Sequence, residues 1–199
     1  MNKNVPNIIT LSRVFLTPIM VVFFLITLPN AVGKFIAFGI YVVGSLTDAV
    51  DGHLARKYNL VSNIGKMLDA IADKFIQTSA IILVLMGSSV LSSWASIVVL
   101  LILILRDIYT NAIRQICLTN GVVVPADFLG KLKSIFIDIA TSVLLFYIAI
   151  NEIVHATWVN LLMIAGLSIL LVGVCLSIIS CINYTVSSWH GITGKEIKE

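Results

Sequence analysis

The chain has 199 residues, of which 59% are hydrophobic and only 12% charged. Soluble domains carry about 25% charged residues. With a mean hydropathy of +1.05, the composition therefore excludes a disordered chain, a coiled coil, a disulfide scaffold and an ordinary soluble enzyme. It predicts an all-α integral membrane protein. The net charge of +3 comes without a dense basic arm, which argues against nucleic acid as a partner.

A spanning helix needs about 20 apolar residues. Twenty uncharged residues separate Arg13 from Lys34, so the first span is read as 7–28, closed by the turn signal Pro29-Asn30. The start Met1-Asn2-Lys3 lacks a strong basic region and a small-residue exit, so this helix is expected to stay rather than be cleaved. A second apolar run begins at Ala31 and enters the polar segment Thr47–Gly52. From Phe75 to Leu105 there are 31 uncharged residues, too many for one crossing of a core about 30 Å thick. The serine-rich stretch from Gly87 to Ser93 divides them into spans at 66–87 and 93–117. Asn120-Gly121 and Pro125 mark a loop, and further spans follow at 131–150 and 157–185. The expectation is six transmembrane helices in one domain, 1–199. Cys117, Cys175 and Cys181 form no C-x-x-C pair and read as small buried hydrophobes.

Sidedness follows from Lys and Arg. Twelve of the 13, at positions 3, 13, 56, 57, 66, 74, 106, 114, 131, 133, 195 and 198, fall on one side, and Lys34 alone on the other. The rich side, holding both termini, is expected to be cytoplasmic, in a multi-pass protein of the cell membrane.

Four aspartates stand in helix-length apolar segments: Asp48, Asp51, Asp69 and Asp73. Each costs about 2.5–3.5 kcal/mol at a helix centre, so four unpaired and central would cost about 10 kcal/mol, comparable to the stability of a whole domain. They are expected in a polar, metal-binding cavity at the cytoplasmic side. Asp48 and Asp51 are i, i+3, and Asp69 and Asp73 are i, i+4, so each pair shares a helix face. Two such faces together present an oxygen-rich shell of the kind Mg²⁺ or Mn²⁺ takes. The alternative is ion pairing with Arg56, Lys66 and Lys74. Gly52, Ala55 and Gly65 are small enough to admit a bulky group, or simply a neighbouring helix.

The run Asp48-Ala-Val-Asp51-Gly52-His-Leu-Ala55-Arg56, then eight residues, then Gly65-x3-Asp69-x3-Asp73 resembles the CDP-alcohol phosphotransferase signature at every fixed position. The resemblance implies a six-helix homodimer that joins a CDP-linked donor to an alcohol and releases CMP. It implies two divalent ions on Asp48, Asp51, Asp69 and Asp73, and Asp73 as the base that takes the acceptor's proton. A cytidine pocket maps to Asp51, Gly52, Ala55, Arg56 and Gly65. The attack would be direct, since neither His53, His155 nor His190 has an obvious nucleophile to serve.

The acceptor is read outside the signature. The opening Asn4-Val-Pro6-Asn7-Ile-Ile-Thr10-Leu-Ser-Arg13 and the segment Arg106-Asp107 … Arg114 … Gly121 … Gly130-Lys131-Leu-Lys133 resemble the phosphatidylglycerophosphate synthases of that family. The pattern there has Arg-Glu for Arg106-Asp107 and Thr for Ser134. The implied substrates are CDP-diacylglycerol and sn-glycerol 3-phosphate. The residues agree: Arg106 and Arg114 share a broad helix face, Lys131 and Lys133 open the next span, and four cations suit a phosphate. For the lysines, anchoring to anionic membrane lipids is the alternative; for Arg106, pairing with Asp107 or Asp138. Asn7, Thr10 and Arg13 lie on one face and are assigned to the donor's phosphates, with helix-end anchoring as the alternative. The rivals are a relative with another acceptor, of the cardiolipin or phosphatidylinositol-phosphate type, a cation transporter, and a purely structural membrane protein.

Overall fold

The residues that punctuate the apolar runs end the helices. A computed structural model describes residues 5–26, 28–57, 63–87, 91–122 and 128–189; at 5–9, 48–57, 63–64 and 66–67 it describes the backbone alone. The elements are α1 (Val5–Leu25), a 3-10 turn (Pro29–Ala31), α2 (Val32–Lys57), α3 (Asn63–Gly87), α4 (Ser93–Thr119), α5 (Phe128–Asn151) and α6 (Thr157–Ser187). Ser92 caps α4, its hydroxyl accepting from the Ala95 amide. The long uncharged run is thus broken where the serine cluster predicts. Pro125 and the tail from Gly191 lie outside the described residues.

Five helices are long and apolar enough, among the described residues, to cross a bilayer: Pro29–Thr47, Leu68–Gly87, Ser93–Thr119, Phe128–Asn151 and Thr157–Ser187. The described apolar part of α1, Thr10–Leu25, is shorter. Large apolar side chains stand exposed along the helices, among them Phe15, Leu105, Trp94, Leu161 and Ile182. Surfaces this apolar are rare on soluble monomers, and they suit a multi-pass membrane protein. Cys175 belongs to that surface: it is exposed, against expectation, because α6 is apolar on all sides and turns part of its circumference outward. Cys117 is buried as expected.

The chain forms two compact units. One comprises 1–90 and 141–166, the other 91–140 and 167–199. In the first, α1 packs on α2 and α3, over a core containing Met20, Ala37, Tyr41, Ala72 and Ala80. The ring of Phe146 of α5 lies tilted at 5.4 Å from that of Phe38 and edge-on at 6.2 Å from that of Phe35. Lys34 donates to Glu152, tying the start of α2 to the turn after α5. In the second, Gly173 of α6 lies against Ile137 of α5, and Ile113 and Cys117 of α4 pack with Tyr184 of α6.

The α1–α2 link is tight. Asn30 takes the left-handed conformation (φ 55°, ψ 33°), which Asn tolerates better than most residues. Just beyond it, a Cβ at Gly33 would stand 2.3 Å from the Phe23 carbonyl oxygen. Backbone cannot give way as a side chain can. Gly33→Ala is therefore expected to cost about 1–3 kcal/mol, the usual range for overpacking. The check is a lowered thermal denaturation midpoint in detergent, with Gly33→Val worse.

Candidate active site

The acidic residues come from two consecutive helices, α2 and α3. α2 stays helical to Lys57, so Asp48 and Asp51 lie one turn apart on it, with Gly52, Ala55 and Arg56 in the turns that follow. Their side chains lie outside the described residues, as does that of Asn7. On α3, Gly65 is partly exposed in the first turn, and Asp69 and Asp73 follow one turn apart. The two helices touch closely at Gly44, where a Cβ would meet Ile76 Cδ1 at 2.5 Å. Asp48 is one turn beyond Gly44 and Asp73 one turn before Ile76.

Asp69 and Asp73 have side chains 45% and 36% exposed, open enough to take a ligand. α1 contributes a buried polar face: Thr10, Arg13 and Thr17 are nearly inaccessible, at spacings of three and four. Arg13 is 1% exposed, and its Nη2 donates to Asp69 Oδ1 at 2.9 Å. The Thr17 hydroxyl donates to the Arg13 carbonyl. Asp69 thus pairs with Arg13 from another helix. Lys74 Nζ lies 4.0 Å from Asp73 Oδ2 and donates to Gln77. The side chains of Arg56 and Lys66 lie outside the described residues. Arg13, assigned from sequence to the donor's phosphates, here orients a signature carboxylate. No group of three or more His, Cys, Asp or Glu side chains converges among the described residues. Asp69 and Asp73 fit one edge of a hard-cation site: carboxylate oxygens, partly open, with one already aligned by Arg13.

The second unit holds a cationic cluster. On α4, Arg106 is 12% exposed; its Nη1 donates to Asp107 Oδ1 at 3.0 Å and its Nη2 to Ser180 Oγ of α6 at 2.6 Å. Lys133 of α5 is 2% exposed and donates to the same Asp107 oxygen at 2.5 Å. Gly130 gives the guanidinium room, since a Cβ there would lie 3.3 Å from Arg106 Nη2. The structure thus brings together two of the four expected cations, Arg106 and Lys133. Arg114 is exposed five residues before the end of α4, and Lys131 is exposed on α5. The pairing of Arg106 with Asp107, the alternative reading of that arginine, is present. Ser180, 74 residues from Arg106, has no signal in the sequence. Beside Arg106, an apolar groove of about 890 Å³ runs along α4 and α6, lined by residues such as Leu105, Ile108, Ile178 and Ile182.

Residues 3–184 match the model of the CDP-alcohol phosphatidyltransferase family. The chain belongs to this family. Among its relatives, the CDP-diacylglycerol--glycerol-3-phosphate 3-phosphatidyltransferase of Bacillus subtilis is 32% identical over 95% of this chain and 97% of its own. The protein of the same name from Rickettsia prowazekii is 33% identical over 72% of this chain and 76% of its own. A probable phosphatidylglycerophosphate synthase of Mycobacterium tuberculosis is 28% identical over 96% and 84%. The family match spans both compact units, so the acidic helix pair and the cationic cluster belong to one CDP-alcohol phosphatidyltransferase sequence.

Proposed function

We propose that this CDP-alcohol phosphatidyltransferase transfers the phosphatidyl group of CDP-diacylglycerol to sn-glycerol 3-phosphate, giving phosphatidylglycerophosphate and CMP. The observation that carries the choice of acceptor is the buried Arg106–Asp107–Lys133 cluster. Cations fixed inside an apolar helix bundle suit an acceptor that brings a phosphate, and serine or inositol brings none. The relatives' names agree with this reading, and the groove beside Arg106 suits a reactant with acyl chains.

In this reading Asp48, Asp51, Asp69 and Asp73 hold two divalent ions, with Arg13 keeping Asp69 aligned. Bound there, Mg²⁺ or Mn²⁺ neutralises charge on the diphosphate and on the departing CMP. Asp51, Gly52, Ala55, Arg56 and Gly65 form the cytidine pocket, with Asn7 and Thr10 near the donor's phosphates. Arg106 and Lys133, with Arg114 and Lys131 further out, hold the acceptor's phosphate. Asp73 takes the proton of the attacking hydroxyl. That oxygen bonds to the phosphorus bearing diacylglycerol, and CMP leaves with the electrons of the broken P–O bond. The test is an acceptor panel of glycerol 3-phosphate, phosphatidylglycerol, inositol phosphate, inositol and serine with CDP-diacylglycerol and Mg²⁺ or Mn²⁺. Turnover is expected with glycerol 3-phosphate; CMP release with only another acceptor, or with none of them, overturns the assignment.

Six spans, one catalytic domain and a homodimer complete the proposal. α1 has 21 residues, about 31 Å of helix, which matches the bilayer core. The lysine and arginine bias puts both termini and the active site on the cytoplasmic side. In a background lacking Cys117, Cys175 and Cys181, an impermeant thiol reagent applied to intact cells is expected to label a cysteine at Ser89 and to miss one at Lys195. The reverse pattern inverts the topology.

A further inference from the structure

We propose that Asp107 is the positioning residue of the acceptor site, holding Lys133 and Arg106 in place for the incoming phosphate without itself touching the acceptor. The inference rests on the proposed role of those two cations. Asp107 Oδ1 accepts from both of them, one on its own helix and one on α5. Lys133 is 2% exposed, so its flexible four-carbon stem would otherwise have to be ordered, and its ammonium kept in an apolar surround, each time an acceptor arrives. A fixed carboxylate meets both costs beforehand, which is how pre-organisation raises affinity. Arg106 is fixed at its other end by Ser180, and the bare backbone of Gly130 closes on the same guanidinium nitrogen. Three helices therefore converge on one rigid pair of donors. A carboxylate that merely balanced charge would need no such convergence.

The test uses the full-length protein in detergent with CDP-diacylglycerol, varying glycerol 3-phosphate, and with inorganic phosphate as a competitor. Asp107→Asn is expected to raise the acceptor KM about 10-fold and to weaken inhibition by phosphate in parallel. Its kcat and donor KM should stay within about threefold of wild type. Asp107→Glu, which restores the charge, is expected to recover most of the acceptor affinity. Ser180→Ala, a smaller lesion, should raise the acceptor KM by a few-fold and serves if Asp107→Asn does not accumulate. An unchanged or lowered acceptor KM in Asp107→Asn would overturn the proposal, the lowered value marking the carboxylate as a competitor of the phosphate. So would a parallel loss of kcat and both affinities that Asp107→Glu fails to rescue. If wild type itself does not use glycerol 3-phosphate, the functional assignment fails instead, and the panel reports that separately.

Discussion

Asp73→Asn is expected to lower kcat by about 10²–10⁴-fold, the usual contribution of a positioned proton acceptor, while the protein stays folded. Asp73 is 36% exposed, so the amide removes a base and a cation ligand at a position open to solvent. Asp69→Asn is expected to abolish turnover too, but with a loss of stability. Arg13 is 1% exposed and donates to Asp69; removing one partner of a buried pair typically costs about 3–5 kcal/mol. The cost here falls below that range, because Asp69 is itself 45% exposed and screened. Thermal denaturation in detergent should therefore separate the two variants, while CMP release should not. EDTA is expected to silence wild type reversibly. Full turnover in EDTA, or an active Asp73→Asn, would remove the metal-and-base reading.

Lys133→Ala is expected to raise the acceptor KM by about 10- to 100-fold. A charge-assisted hydrogen bond contributes roughly 1.5–3 kcal/mol, and a decade of affinity corresponds to about 1.4 kcal/mol. A group that binds the acceptor's phosphate equally in ground and transition states changes KM rather than kcat, and the donor KM should move far less. Arg114→Ala is expected to have a smaller effect, because Arg114 is exposed while Lys133 is buried. Plain glycerol tests the same point from the substrate's side. Lacking the phosphate, it should be a poor acceptor for wild type and no poorer for Lys133→Ala. A Lys133→Ala enzyme with weakened donor binding and an unchanged acceptor KM would move this cluster to the other substrate.

What the sequence revealed follows the range of its signals. Hydropathy and punctuation are local, so α3 could be read as 66–87 against the observed Asn63–Gly87, and α4 as 93–117 against Ser93–Thr119. The spacing of Asp69 and Asp73 is local too, and it does put them one turn apart on α3. The partners of these groups are not local. Arg13 and Asp69 are 56 residues apart, and Asp107 and Lys133 are 26 apart. No periodicity links such positions; only the packing of one helix on another does. Thus neither the Arg13–Asp69 contact nor the Asp107–Lys133 contact is legible in the sequence. Spacing along a helix gives direction around its axis but not depth beneath the surface, so it does not separate the buried Lys133 from the exposed Arg114 and Lys131.

The Arg13–Asp69 pair also bears on how the chain is made. Its cation leaves the ribosome 56 residues before its carboxylate. At about 5–20 residues per second, that is an interval of roughly 3–11 s. During it the contact between Arg13 and Asp69 cannot form, because its carboxylate has not yet been made. Docking of the third helix therefore completes the buried polar face of the first.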